Sequence, residues 1–108
     1  MTNLKIGTDI IEINRVEKAI KSESFLKQIF TEKEIDLIKK RGSSTAAVNF
    51  AGKEAVVKAM GVGFKKISPK EIEILRKDTG EPFVEGRENI KISLSHCSEY
   101  AVAMVIIN

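Results

Sequence analysis

Asn49-Phe50-Ala51-Gly52-Lys53-Glu54-Ala55-Val56-Val57-Lys58-Ala59-Met60-Gly61-Val62-Gly63 is the stretch that decides how this chain is read. It forms one amphipathic helix that ends in a glycine-flanked loop. Glu54 and Lys58 lie four apart and project from the same face. A carboxylate beside an ammonium, followed by a turn with two glycines, suits a metal ion and a phosphate. An ordinary surface Glu–Lys pair has the same spacing and contributes only a few tenths of a kcal/mol. Toward the N-terminus the helix gains Ala46, Ala47 and Val48 and becomes apolar on nearly every face, so it is expected to be buried or packed on several sides. A charged pair on such a helix is costly unless it binds something, which favours the functional reading of Glu54 and Lys58.

Ser43, Ser44 or Thr45 can cap this helix. Before it, Thr31-Glu32-Lys33-Glu34 has the spacing of a capping box and opens a helix that stops at Gly42, after Lys39-Lys40-Arg41. At the start of the chain, Leu4, Ile6, Ile10, Ile11 and Ile13 describe a strand interrupted by a turn or bulge at Gly7, with Asp9 as its polar tip. A helix over about residues 14–27 follows, with Val16, Ala19, Ile20 and Phe25 apolar and Arg15, Lys18, Lys21 and Lys27 on a basic side. After the break at Ser68-Pro69, Glu71 to Leu75 alternates as a half-exposed strand. Asp78 to Pro82 turns, and Phe83 to Glu85 returns. Ile90 to His96 alternates cleanly. Tyr100 to Ile107 is nearly continuously apolar, as expected of a strand central in its sheet. The class is α+β, an antiparallel sheet packed against a long central helix, in a single domain over residues 1–108.

With 108 residues the chain has room for one core of modest burial, and assembly would help it. No apolar run reaches transmembrane length, and the first residues lack the apolar core and cleavage site of a signal peptide. A cytoplasmic protein with no membrane partner is expected. The net charge of +3 favours acidic partners such as nucleic acid, phosphorylated small molecules or an acidic protein. There is no arginine-rich tract, no tryptophan and no interleaving of aromatic with basic residues, so base-stacking surfaces are poorly supplied. The single cysteine, Cys97, excludes an internal disulfide and a thiolate zinc site. It follows the only histidine, His96, but adjacent strand residues point to opposite faces, which makes a direct catalytic pair awkward.

Asp9 is well placed to ligate a divalent cation. Mg²⁺ takes one or two protein carboxylates and completes its shell with water and substrate phosphate, a count that Asp9 and Glu54 satisfy. An Asp capping the following helix is the competing reading. His96, at the end of a strand, reads either as a general base or phosphate donor, or as a histidine hydrogen-bonded in the sheet.

Taken together, these segments resemble the holo-acyl-carrier-protein synthase family of phosphopantetheinyl transferases. The matching blocks are Ile6-Gly7-Thr8-Asp9-Ile10-Ile11-Glu12-Ile13, Phe50-Ala51-Gly52-Lys53-Glu54-Ala55 with Lys58-Ala59-Met60-Gly61, and Ser93-Leu94-Ser95-His96. Phe30 to Glu34 and Asp78 to Pro82 also match. The resemblance spans nearly the whole chain in the family's order. It implies transfer of the phosphopantetheine arm from coenzyme A to a serine of an apo acyl carrier protein, giving the holo form used in fatty acid biosynthesis. It also implies Mg²⁺ held by Asp9, Glu54 and the pyrophosphate, and a homotrimer with active sites at subunit interfaces.

On that footing the catalytic set is Glu54, Lys58 and Asp9. Lys58 adds positive charge at the phosphates, and Glu54 or a metal-bound water that it orients takes the serine proton. His96, Lys58, Gly61, Gly63 and Lys53 are the expected coenzyme A contacts. Because the family's carrier proteins are acidic, Arg15, Lys18 and Lys21, with Phe25 as an apolar contact, are the expected docking surface, although a merely solvated helix face has the same look. The chain departs from the family where Asn49 replaces an arginine, Gly52 an alanine and Lys91 a frequent histidine. The first change removes a phosphate contact that Lys53 or a neighbouring subunit would have to supply. The alternative from another class is a non-catalytic nucleotide- or nucleic-acid-binding module, which would tolerate changes at Asp9 and Glu54.

Overall fold

The structure is a computed structural model that describes residues 3–108. In chain order it contains β1 (Lys5–Glu12), α1 (Ile13–Ala19), α2 (Glu23–Ile29), α3 (Glu32–Arg41), α4 (Ser43–Met60), β2 (Ile74–Arg76), β3 (Pro82–Val84), β4 (Ile90–His96) and β5 (Tyr100–Ile107). A 3₁₀ turn over Pro69–Glu71 precedes β2.

The main sheet is antiparallel, with β5 in the centre, β1 on one side and β4 on the other. Side chains on β5 alternate strictly. Ala101, Ala103, Val105 and Ile107 are buried, and Tyr100, Val102, Met104 and Ile106 are exposed, so the apolar run is divided between two faces. α4 lies across the buried face, against β1, β5 and β4, and also packs on α1 and α3. It buries Ala46, Ala47, Val48, Ala51, Ala55, Val56, Val57 and Ala59, as a helix apolar all round must. β2 and β3 form a separate hairpin, and β3 lies beside β4.

Gly7 does not interrupt β1. The strand runs unbroken, and Asp9 pairs with Ala103 in mid-strand rather than forming a tip. The glycine is there because α4 comes so close: a Cβ on Gly7 would lie 2.0 Å from the carbonyl oxygen of Ala55 and 2.8 Å from the amide nitrogen of Ala59.

The single helix expected over about residues 14–27 is two helices. The first ends at Ala19, and Ser22 starts the second by capping α2, its hydroxyl accepting from the Phe25 amide at 3.3 Å. The capping box of α3 is present, with Thr31 and Glu34 serving each other's backbone amides. α4 starts without a side-chain cap. Gly42, at φ 100°, is its N-cap, and the Ser43 hydroxyl donates instead to Glu17 Oε2 at 3.0 Å. Between Ser68 and Arg76 the strand expected from Glu71 begins three residues late. Glu71 is used as the acceptor for the Ser68 amide, at 2.7 Å, in the 3₁₀ turn.

Candidate active site

β1 and α4 build the site together. On β1, Gly7, Asp9 and Ile11 face the helix. On α4, Glu54 and Lys58 follow each other by one turn, and the contact of Gly7 with the backbone at Ala55 and Ala59 brings Asp9 up to them. Lys58 Nζ donates to Asp9 Oδ1 at 2.8 Å and to the Thr8 carbonyl at 3.1 Å. The pair is asymmetric in exposure: the Asp9 side chain is 14% accessible and the Lys58 side chain 53%.

Glu54 is half-buried. Burial pushes its carboxyl above the ordinary glutamate value, the Asp9 charge pushes it the same way, and Lys58 opposes both. Lys58 is raised, first by its hydrogen bond to Asp9. The Glu54 carboxylate thus lies within the field of Asp9, which Lys58 partly offsets, at a cost that a further cation would relieve.

His96 is not brought to this cluster. It closes β4, on the edge strand across β5, where Ala101 pairs with both His96 and Ile11. It opens on a shallow cleft of about 600 Å³ lined also by Arg41, Ser43, Ser44 and Cys97. Arg41 was not singled out in the sequence. Its signal is the order of residues there, a basic helix end followed within two residues by the start of another helix. Gly61 ends α4 in the left-handed region, at φ 75°, and a Cβ at Gly61 or Gly63 would meet nothing within 4 Å, so both stand open at the end of the helix that carries Lys58.

Lys53 does not contact a nucleotide in this arrangement. It is fully buried and donates to Glu34 Oε1 at 2.7 Å, to the Ile72 carbonyl at 2.6 Å and to the Pro69 carbonyl at 2.9 Å. Burial lowers its pKa and Glu34 pushes it back up. Asn49, also fully buried, gives its amide to Glu34 Oε2 and the Ile74 carbonyl and accepts from Arg76 Nη2 at 2.8 Å. The position where an arginine was expected is therefore internal here, and Lys53 cannot supply the missing phosphate contact. A helix that is apolar all round does not reveal which of its polar residues point inward.

Arg15 and Lys18 are exposed on α1, and Lys21 is exposed in the turn that follows it. Phe25 belongs to α2 rather than to a continuous basic helix. It is half-buried against Phe50, with ring centroids 6.2 Å apart, which reduces what it can offer a partner.

Residues 5–105 match the model of the 4'-phosphopantetheinyl transferase superfamily. The chain belongs to that superfamily. This phosphopantetheinyl transferase is 45% identical to a holo-[acyl-carrier-protein] synthase of Fusobacterium nucleatum, covering 94% of this chain and 96% of the relative. It is 44% identical to one of Chloroherpeton thalassium, over 96% and 97% of the two chains. Its fold matches the Bacillus anthracis holo-(acyl-carrier-protein) synthase crystallised with CoA (3',5'-ADP), with TM-score 0.85 and 37% identity, over 95% and 94% of the chains. The Helicobacter pylori enzyme in complex with coenzyme A gives TM-score 0.86 at 33% identity, covering 95% of this chain and 99% of the other. Membership of an enzyme superfamily over nearly the full length replaces the reading of a non-catalytic binding module.

Proposed function

We propose that this phosphopantetheinyl transferase moves the 4'-phosphopantetheine arm of coenzyme A onto a serine hydroxyl of an apo acyl carrier protein, as one domain over residues 1–108 built on α4 as its long central helix. The observation that carries this reading is the half-buried Glu54 carboxylate set against Asp9, with Lys58 on Asp9 at 2.8 Å. Two carboxylates brought near each other, one from β1 and one from α4, stabilise little on their own and are suited to share a cation.

The donor set fits Mg²⁺. Asp9 and Glu54 supply two carboxylates, and among the described residues no cluster of three or more His, Cys, Asp or Glu exists that would suit a metal held by protein alone. Asp9 and Glu54 would hold Mg²⁺, which when bound would neutralise charge on the pyrophosphate. The serine oxygen attacks the β-phosphorus, the new P–O bond forms, and the bond to the 3',5'-adenosine bisphosphate leaving group breaks. Lys58, exposed beside Asp9, adds positive charge where negative charge develops on the leaving phosphate. Glu54 is the group to accept the serine proton. His96 and Arg41, sharing one cleft, are donors for outlying phosphate or hydroxyl groups of coenzyme A, and the loop with Gly61 and Gly63 leaves room for its approach.

The sheet face away from α4 supports the homotrimer. Leu4, Ile6 and Ile10 of the first strand region and Tyr100, Val102, Met104 and Ile106 of β5 stand exposed side by side, with Ile6 at 67% and Ile10 at 65%. An apolar sheet face of this kind requires a cover, and further copies of the chain provide one. No helix of the described residues is long and apolar enough to cross a membrane. A cytoplasmic location and service to fatty acid biosynthesis complete the reading.

The experiment is a thermal-shift titration of the native protein and Asp9→Asn with coenzyme A, with and without Mg²⁺. Stabilisation that needs both ligands and vanishes in Asp9→Asn is the expected result. Equal stabilisation of the two proteins, or none in the native one, would overturn the assignment of the site.

A further inference from the structure

We propose that the buried Glu34–Lys53 pair, together with Asn49, sets the rotation of α4 and so holds Glu54 against Asp9. Lys53 is then a positioning residue for the transfer, an assignment that rests on the function given above.

α4 carries little in its apolar surface to fix its rotation. Its buried surface is mostly alanine and valine distributed around the helix, from Ala46 and Ala47 to Val56, Val57 and Ala59. Burial of such a surface has little preference for one rotation over another, because each face is about as apolar as the next. The contact with β1 at Gly7 is with backbone atoms of Ala55 and Ala59, so it sets how closely helix and strand approach more than which side chain faces which. Small residues narrow the choice, with Ala55 and Ala59 against Gly7 and Gly52 against Ile74, Ile92 and Leu94, and the buried polar side chains add a directional constraint to it.

Asn49 and Lys53 lie one turn apart on the same stripe and are the fully buried polar side chains of α4 among the described residues. Their partners come from three separate parts of the chain: Glu34 on α3, the Pro69 and Ile72 carbonyls around the 3₁₀ turn, and the Ile74 carbonyl and Arg76 on β2. Glu34 is itself saturated, accepting also from the Thr31 and Ile74 amides. No buried side-chain nitrogen or oxygen among the described residues lacks a partner. A rotation of α4 by one residue position, about 100°, would orphan the Lys53 ammonium and the Asn49 amide at once and leave the buried Glu34 carboxylate without its cation. Glu54 is the next residue after Lys53, so fixing one side chain fixes the direction of the other. Stability alone does not explain the pair, since apolar replacements of buried ion pairs are often neutral or stabilising, whereas fixing register is their best-attested use.

The test uses Lys53→Met and the double variant Glu34→Gln/Lys53→Met, which removes the charge of both partners. Thermal unfolding, kcat, KM for coenzyme A, and Mn²⁺ affinity of the protein without coenzyme A by electron paramagnetic resonance are measured on each. The expected result is a folded double variant in which Mn²⁺ affinity and kcat each fall by about tenfold, the size of effect seen when the support of metal ligands is removed, while KM for coenzyme A changes little. A folded variant with native Mn²⁺ affinity and native kcat would overturn the inference. So would the failure of both variants to fold, which would make the pair a requirement of the fold rather than of the site. Native protein that binds Mn²⁺ yet transfers nothing would defeat the transferase reading while leaving the Mn²⁺ comparison decisive for the positioning claim.

Discussion

Replacing Gly7 by alanine tests whether the approach of β1 to α4 is what aligns the site. The new Cβ would stand 2.0 Å from the Ala55 carbonyl oxygen, where real Cβ contacts stay beyond 3.0 Å, so strand and helix must separate by about 1 Å. Overpacking of this kind costs about 1–3 kcal/mol, which in a domain of this size lowers the melting temperature by roughly 4–12 °C. Asp9 is two residues along on the same face of β1 and moves with the strand, away from Glu54 and Lys58. A displacement of about 1 Å in a reacting geometry can reduce turnover by about 100-fold. The assay is initial-rate transfer to an apo carrier protein well below the melting temperature, beside a thermal melt. The obstructing atoms are backbone atoms, so Ala55→Gly cannot rescue the variant. Native kcat with an unchanged melting temperature, or rescue by Ala55→Gly, would refute the reasoning.

Glu54→Gln is expected to abolish transfer yet to stabilise the metal-free protein at neutral and alkaline pH. The folded pKa of Glu54 is raised, so its favourable contribution is present below the ordinary glutamate pKa and is lost as pH rises through the raised value; melting temperatures of the two proteins should therefore converge in acid and separate above it. Met104→Glu, on the exposed apolar face of β5, should yield monomers by light scattering if that face joins the proposed trimer; native trimers with a trimeric variant, or a monomeric native protein, would contradict the assignment of that face. Charge reversal at Arg15 and Lys18 together should raise KM for the carrier protein several-fold, with the gap closing at high salt and kcat unchanged. Gly61→Ala should cost about 1 kcal/mol because of its left-handed backbone, whereas Gly63→Ala should leave the melting temperature unchanged and show its effect only in KM for coenzyme A.

Local signals were readable where one residue type serves one purpose. The alternation of Ile90 to His96, the apolar run of Tyr100 to Ile107 and the Thr31–Glu34 capping box all appear as read. Asp9, Glu54 and Lys58 came forward because a strand carboxylate and a charged pair on an apolar helix are both costly without a ligand, and the structure brings those three together. The misreadings share a cause. Gly7 resembles a strand breaker, but it is a strand residue emptied to admit a helix at Ala55 and Ala59, far along the chain in the fold's other layer, and that contact is invisible locally. Ser22 resembles any polar helix residue until its hydroxyl is seen capping α2. Lys53 carries the same side chain as Lys58 on the same helix, yet one is buried on Glu34 and the other exposed on Asp9. Charge and spacing alone do not say which side of a helix meets solvent when nearly every side is apolar.

We propose phosphopantetheine transfer by this chain at the site formed by Asp9, Glu54 and Lys58. Its most direct test is the intact mass of an apo acyl carrier protein incubated with this enzyme, coenzyme A and Mg²⁺, beside a chelator control and a Glu54→Ala control. A mass gain of one phosphopantetheine, lost in both controls, is the result the account predicts. No gain on several carrier proteins from a folded sample, or a gain that survives Glu54→Ala, would contradict it.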